Sequence, residues 1–103
     1  MNELKISPKA KQYFKKIRDK ALKNKFKEAL EDIVLDPYTA GEPKKGDLAG
    51  VYCYDFYHQG TNYEIAYAIE EDEQGNLVII ILAGTRENFY KELSRYIRKN
   101  KPS

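Results

Sequence analysis

The sequence predicts an α+β fold in which a two-helix hairpin packs on an antiparallel sheet and a further helix closes the chain. Two observations predict it. Apolar residues recur with helical spacing before residue 36 and after residue 88. Between them, residues 51–83 are rich in aromatic and β-branched side chains that alternate or run together as in strands. We therefore expect one helical layer on one sheet, within a single domain that spans residues 1–103.

The N-terminal third predicts a short strand and then a helical hairpin. Residues 4–6 form the strand, Ser7 can cap the first helix, and Pro8 suits its first turn. The helical spacing loses phase near residues 19–23, which indicates a hairpin or, alternatively, one bent helix. Asp36 ends the helical segment, because a residue before proline is pushed out of the helical region. The apolar positions are Ala10, Tyr13, Phe14 and Ile17, then Leu22, Phe26, Ala29, Leu30, Ile33 and Val34.

A loop and a three-strand meander follow the hairpin. Residues 38–50 contain three glycines and one proline, which is typical of a loop. Short connections between the next strands favour antiparallel neighbours, whereas the helical crossover allows the first strand to pair in parallel. The strands are expected over 51–57, 63–69 and 77–83, the turns over 58–62 and 71–76, and the last helix is marked by Phe89, Tyr90, Leu93, Tyr96 and Ile97.

The composition excludes several classes of protein. Hydrophobic residues make up 42% of the chain and charged residues 33%, which is too apolar for general disorder and too charged for a membrane protein. The N-terminus lacks the basic start and apolar stretch of a secretion signal, so a cytoplasmic location is expected. With one cysteine and one histidine, we expect no disulfide, no metal site and no cofactor.

The net charge of +2 conceals a strong asymmetry. Residues 1–30 carry a net charge of +7, residues 31–85 carry −9, and residues 86–103 carry +4. Basic ends of this kind bind polyanions in some proteins and are simply solvated helix faces in others.

Arg86 and Tyr90 are the leading candidates for chemistry. They lie four residues apart, so they share one face of the last helix. A guanidinium can neutralise a phosphate and a phenol can transfer a proton; alternatively, the pair only packs and forms a surface ion pair. His58 is a candidate acid–base group or an exposed turn residue. Lys44 and Lys45 can bind a phosphate ahead of the second strand or can serve solubility.

Three segments resemble the RelE/ParE superfamily of bacterial toxins from toxin–antitoxin pairs. They are GDLAGVY at residues 46–52, YEIAYAI at 63–69 and IILAGTRENFY at 80–90. The resemblance covers nearly the whole chain when the helical hairpin is included. It implies two helices packed on an antiparallel sheet, and a cognate antitoxin that covers the sheet and helices. The chain differs from the family pattern at Glu64 and Ala68, where basic residues are frequent.

The resemblance also implies one of two activities. RelE-like members cleave mRNA in the ribosome without a metal, by attack of a 2′-hydroxyl on the neighbouring phosphate, whereas ParE-like members inhibit DNA gyrase. In the first case Arg86 stabilises transition-state charge, Tyr90 moves a proton or stacks, His58 acts as acid or base, and Lys44 and Lys45 hold phosphates. We expect the endoribonuclease, with the gyrase inhibitor or a catalytically silent antitoxin-binding module as alternatives.

Overall fold

The computed structural model describes residues 2–100. Five strands and four helices follow one another in the order β1 (Glu3–Ile6), α1 (Pro8–Lys16), α2 (Lys20–Leu35), α3 (Pro37–Ala40), β2 (Glu42–Pro43), β3 (Val51–His58), β4 (Thr61–Asp72), β5 (Gly75–Thr85) and α4 (Phe89–Asn100). The predicted strand, helical hairpin, meander and last helix are all present, so the predicted fold class is confirmed.

All five strands form one sheet in the order β1-β5-β4-β3-β2. Strands β3, β4 and β5 pair antiparallel as the predicted meander. The N-terminal strand β1 pairs parallel with β5, so that the apolar run predicted as a central strand is flanked on both sides. A two-residue turn joins β3 to β4, and both of its residues, Gln59 and Gly60, have positive φ angles of 48° and 82°. This is the backbone of a type I′ hairpin turn.

Side-chain caps separate the two helices of the hairpin. The Ser7 hydroxyl accepts a hydrogen bond from the Ala10 amide and donates one to the Ile81 carbonyl, which ties the start of α1 to the sheet. The Asp19 carboxylate accepts hydrogen bonds from the Ala21 and Leu22 amides and begins α2. The loss of helical phase near residue 19 therefore marks a true break, and the hairpin is confirmed over the bent helix.

The core has two parts on opposite faces of the sheet. Helices α1 and α2 cover the first, which includes Phe26, Ile65, Tyr67 and Ile80. Helix α4 covers the second part, because its Phe89 and Leu93 pack with Val51, Cys53, Ala66 and Leu82. Because successive strand residues point to opposite faces, the sheet can be covered by helices on both sides. The expectation of a single helical layer is therefore wrong, since α4 packs on the face opposite to α1 and α2.

A bulge in β5 adjusts the strand to these two layers. Ala66 pairs with Leu82 and Tyr67 pairs with Ile80, which leaves Ile81 as an extra residue in β5. As a result, Ile80 and Leu82 lie on opposite faces of the sheet, although residues two apart in a regular strand share one face.

The segment at residues 38–50 is more ordered than the predicted loop. It contains most of α3, the short strand β2 and one turn of 3₁₀ helix at Gly46–Leu48. The buried Tyr67 hydroxyl donates to the Pro37 carbonyl at 2.7 Å and accepts from the Gly41 amide at 2.8 Å. These two hydrogen bonds fix the path of the chain into β2, which presents Lys44 to the sheet. In the described part of the chain, no helix is long and apolar enough to cross a membrane.

Candidate functional site

The candidate site lies on the α4 side of the sheet, where β5 ends and α4 begins. Arg86 directly follows β5, and its backbone amide donates a hydrogen bond to the Asn62 carbonyl at 2.9 Å. Tyr90 is the second residue of α4, whereas Arg86 precedes this helix and is separated from it by Asn88, which has a positive φ angle of 63°. The prediction that Arg86 and Tyr90 share one face of the last helix is therefore wrong. Both side chains point toward Glu64 of β4, and the structure thus brings the two leading sequence candidates together on a carboxylate.

Glu64 is almost completely buried, with only 2% of its surface exposed, although its neighbours in the site are polar. The Tyr90 hydroxyl donates a hydrogen bond to Glu64 Oε1 at 3.2 Å. Arg86 Nε lies 3.6 Å from Glu64 Oε2, while the Arg86 side chain as a whole is 60% exposed. Arg86 is therefore anchored at its inner end and remains available to a ligand at its outer end.

Burial controls the protonation of this site. It raises the pKa of the Glu64 carboxyl above the ordinary 4.5, and the charge of nearby Asp55 adds to the shift, although Tyr90, Arg86 and Lys44 oppose it. Burial also raises the pKa of the Tyr90 phenol, with further contributions from Cys53 and Glu64. The phenol therefore stays protonated and donates to the carboxylate.

Lys44 completes the cluster from the opposite edge of the sheet. Its backbone amide donates to the Val51 carbonyl at 2.9 Å, which continues the pairing of β2 with β3. Its ammonium nitrogen lies 5.1 Å from the centre of the Tyr90 ring, within the range of a cation–π contact. Lys45, the next residue, is exposed where the 3₁₀ turn begins. Lys44 thus shares a site with Arg86 and Tyr90, and Lys45 stands at its edge.

Comparison with known proteins identifies the family. The model of the ParE-like toxins of type II bacterial toxin–antitoxin systems matches residues 4–94. The chain belongs to this family. A search of the curated proteins gives no match.

Solved structures show the same fold. A mutant of the Escherichia coli toxin RelE in the free state is 16% identical, with a TM-score of 0.68 and 97% of each chain covered. A YoeB/ParE toxin from Agrobacterium tumefaciens is 15% identical, with a TM-score of 0.68 over 82% of this chain and 98% of that one. The toxin–antitoxin complex RelBE2 of Mycobacterium tuberculosis contains a chain that is 24% identical, with a TM-score of 0.61 over 82% of this chain and 96% of that one. The predicted RelE/ParE resemblance is therefore confirmed.

His58 lies outside the site of this ParE-like toxin. It has the strand parity of Tyr52, Tyr54 and Phe56, which face the helical hairpin. Its Nε2 atom is 3.7 Å from the Asp19 carboxylate at the start of α2 and has no hydrogen-bond partner. The structure does not bring His58 to Arg86 and Tyr90, so the predicted acid–base role has no geometric support.

Glu64 is the site residue of the toxin that sequence reasoning did not assign. The sequence showed it only as a departure from a basic position in the family. Glu64 shares one face of β4 with Ala66 and Ala68, a pattern that shows which residues lie on the same side of the strand but not that a helix buries them. Within the described part of the chain, no group of three His, Cys, Asp or Glu side chains is placed to hold a metal ion.

Proposed function

We propose that this toxin is a metal-independent endoribonuclease that cleaves mRNA in the ribosome and so arrests translation. The observation that carries the proposal is the convergence of Arg86, Lys44 and Tyr90 on one face of the sheet around Glu64. Two cations beside a hydrogen-bonded phenol and carboxylate are the groups that phosphodiester cleavage by a 2′-hydroxyl requires. The resemblance to RelE-like toxins supports the ribosome as the place of action.

The geometry supports a specific division of roles. The 2′-oxygen forms a bond to phosphorus, and its proton passes to Tyr90 Oη while the phenol proton passes to Glu64 Oε1, along the 3.2 Å hydrogen bond. The exposed end of Arg86 neutralises the charge that develops on the phosphorane oxygens. Lys44 and Lys45 hold the flanking phosphates. The bond from phosphorus to the 5′-oxygen then breaks, and that oxygen takes a proton from solvent.

The environment of Glu64 suits the role of base. A carboxylate with an ordinary pKa is a weak base, and burial raises its pKa toward the working range. Glu64 is almost completely buried and accepts a hydrogen bond from Tyr90, so it would act on the substrate through the phenol. We therefore assign Tyr90 as the group that touches RNA and Glu64 as the proton acceptor behind it.

We also propose a cognate antitoxin as the partner that restrains the activity. The solved relative from M. tuberculosis is a toxin–antitoxin complex, and the family is defined by such pairs. A small protein encoded in a reading frame next to this gene is the expected antitoxin. Coexpression with that protein should relieve growth arrest and yield a stable complex.

The test is induction of the toxin followed by mapping of mRNA 5′ ends. We expect cleavage in phase with codons, which Arg86→Ala abolishes and Arg18→Ala does not, since Arg18 is an exposed arginine in the α1–α2 connection. Arg86→Ala and Arg18→Ala remove the same charge, so a difference between them reports the position of Arg86 rather than net charge. Unphased ends, or equal cleavage by both variants, would count against the proposal.

One observation favours a second candidate, a toxin that acts by binding. Glu64 pairs with Arg86, and Asp55 lies directly opposite Glu64 in the register of β3 and β4. Carboxylates repel an RNA backbone, by about 1 kcal/mol for solvated charges 4 Å apart. A ParE-like gyrase inhibitor would give growth arrest with intact mRNA and a DNA-damage response. A silent antitoxin-binding module would give no growth arrest at all.

A further inference from the structure

A second positively charged site lies between α1 and α4, away from Glu64. Lys9 of α1 and Arg95 and Lys99 of α4 line a groove of about 520 Å³ together with Tyr96 and Glu92. The Lys9 ammonium nitrogen is 5.8 Å from the centre of the Tyr96 ring, so the lysine stem follows the groove wall. Three cations thus face a shared space that holds a single carboxylate.

No salt bridge pairs these cations within the described residues, although the Glu92 carboxylate lines the same groove. Among the side chains of residues 2–99, the close contacts between oppositely charged groups are Arg86 with Glu64 and, when the histidine is protonated, His58 with Asp19. Lys9, Arg95 and Lys99 are all exposed. Like charges on neighbouring helices repel one another, and a bound anion would offset the repulsion within this groove.

The groove extends toward Arg86. A second cavity, of about 370 Å³, shares Lys9 and Glu92 with the first and continues along Lys16 to Thr85, Glu87 and Asn88. Thr85 directly precedes Arg86, and Asn88 lies two residues after it. A ligand that occupies the groove can therefore reach the turn that carries the proposed catalytic arginine.

We infer that this groove, defined as Lys9, Arg95, Tyr96 and Lys99, binds the phosphodiester backbone of RNA outside the cleavage site. The choice of RNA as the anion rests on the proposed function; the anion-binding character rests on the groove alone. Cations beside an aromatic ring are the usual composition of a surface that follows a nucleic-acid backbone. An acidic protein segment is the weaker candidate, since peptide grooves rely on apolar anchor pockets and Tyr96 is the single aromatic residue of this one.

The test measures binding without cleavage. A short fluorescein-labelled 2′-O-methyl RNA cannot be cleaved, because the attacking hydroxyl is blocked, and its anisotropy reports binding to the purified toxin. The variant is Lys9→Glu with Lys99→Glu, and the matched control is Lys15→Glu with Lys25→Glu, which makes the same charge change at exposed positions of α1 and α2. We expect the groove variant to bind at least tenfold more weakly and to lower the salt dependence of log Kd by about 1 to 2. We expect a smaller change in the control.

Equal weakening in the two double variants would overturn the inference, because net charge alone would then explain binding. Displacement of the RNA by polyglutamate at matched charge concentration would overturn it in favour of an acidic protein segment. If Lys9→Glu with Lys99→Glu fails to fold, as judged by circular dichroism, Lys9→Gln with Lys99→Gln replaces it. The glutamine variant should show at least half of the decrease in salt dependence that is expected for the glutamate variant. The cleavage test on Arg86 is separate from this one. If cleavage depends on Arg86 but RNA binding does not depend on the groove, only this inference is refuted; if RNA binding depends on the groove but no cleavage depends on Arg86, only the proposed function is refuted.

Discussion

The phenol of Tyr90 donates a hydrogen bond to the carboxylate of Glu64, with 3.2 Å between Oη and Oε1, across the interface of α4 and the sheet. The contact joins Tyr90 of α4 to Glu64 of β4, which is almost completely buried. It gives a buried carboxylate the partner that its desolvation requires. It also places a phenol, an arginine and a lysine within one small site, and several measurements follow from that arrangement.

The proposed proton relay predicts how the proposed cleavage depends on pH. Tyr90→Phe removes the relay and Glu64→Gln removes its acceptor, so each should slow cleavage of ribosome-bound mRNA by about 10²- to 10⁴-fold. In the unmodified toxin, single-turnover rates should rise with pH through the pKa of Glu64, which burial holds above its ordinary value. The residual activity of Glu64→Gln should lack that rise. A full rate in Glu64→Gln, with Arg86→Ala inactive, would show that Glu64 is not the base.

The burial of Glu64 also predicts how stability depends on pH. Because the pKa of Glu64 is raised in the folded state, the native protein binds the proton more tightly than the unfolded chain does. This contribution to stability is present below the ordinary pKa near 4.5 and is lost as the pH rises through the folded pKa. Glu64→Gln should therefore become more stable than the unmodified toxin as the pH increases, as followed by urea denaturation. Glu31→Gln, at an exposed position of α2, is the control and should follow the unmodified toxin at each pH.

The sequence predicted the elements of the fold better than their arrangement. Amphipathic spacing identified the helices, and the parallel position of β1 follows from the helical crossover. The face that α4 covers could not be predicted, because a stripe containing Phe89 and Leu93 shows which side of the helix is apolar and not which sheet face receives it. The bulge at Ile81 could not be predicted either. Every residue of the continuous run in β5 is apolar, so the sequence shows no change of pattern at that point.

The same limit applies to the site. The proximity of Arg86 and Tyr90 was predictable because they lie four residues apart and match a family motif, although Arg86 precedes α4. Glu64 was not, since a carboxylate in a strand is normally a solvated residue, and only the docking of Tyr90 from α4 gives it a buried role. The position of His58 could have been predicted. In a strand it lies on the same face as Tyr54 and Phe56, which is the face opposite to Arg86 and Tyr90.

The close approach of α3 to Tyr67 predicts a strong effect at Gly41. A Cβ atom on Gly41 would lie 2.6 Å from the Tyr67 hydroxyl and 3.0 Å from the Cys53 carbonyl. Gly41→Ala should lower the free energy of unfolding by about 1–3 kcal/mol and shift Lys44, which follows three residues later. Gly84→Ala is the control, because its Cβ would meet only the Phe89 ring at an ordinary 3.7 Å. Chemical denaturation that shows equal effects for the two substitutions would contradict this account of the segment.

Two substitutions at Asp19 should separate its role as the cap of α2 from its contact with His58. Its Oδ1 atom accepts hydrogen bonds from the Ala21 and Leu22 amides, and its Oδ2 atom lies 3.7 Å from His58 Nε2. Asp19→Ala removes both interactions and should lower the free energy of unfolding by about 1 kcal/mol. Asp19→Asn keeps a capping oxygen and removes the charge, so it should retain most of that stability.

The contrast between these two variants also tests the position of His58. If capping dominates, His58→Gln in the Asp19→Asn background should cost little further stability in thermal denaturation, because the ion pair is already absent. Both variants should cleave mRNA at the rate of the unmodified toxin, since Asp19 lies on the opposite face of the sheet from Tyr90. Reduced cleavage by Asp19→Asn at unchanged stability would connect this end of the helical hairpin to the site and would require a path through the β3–β4 turn.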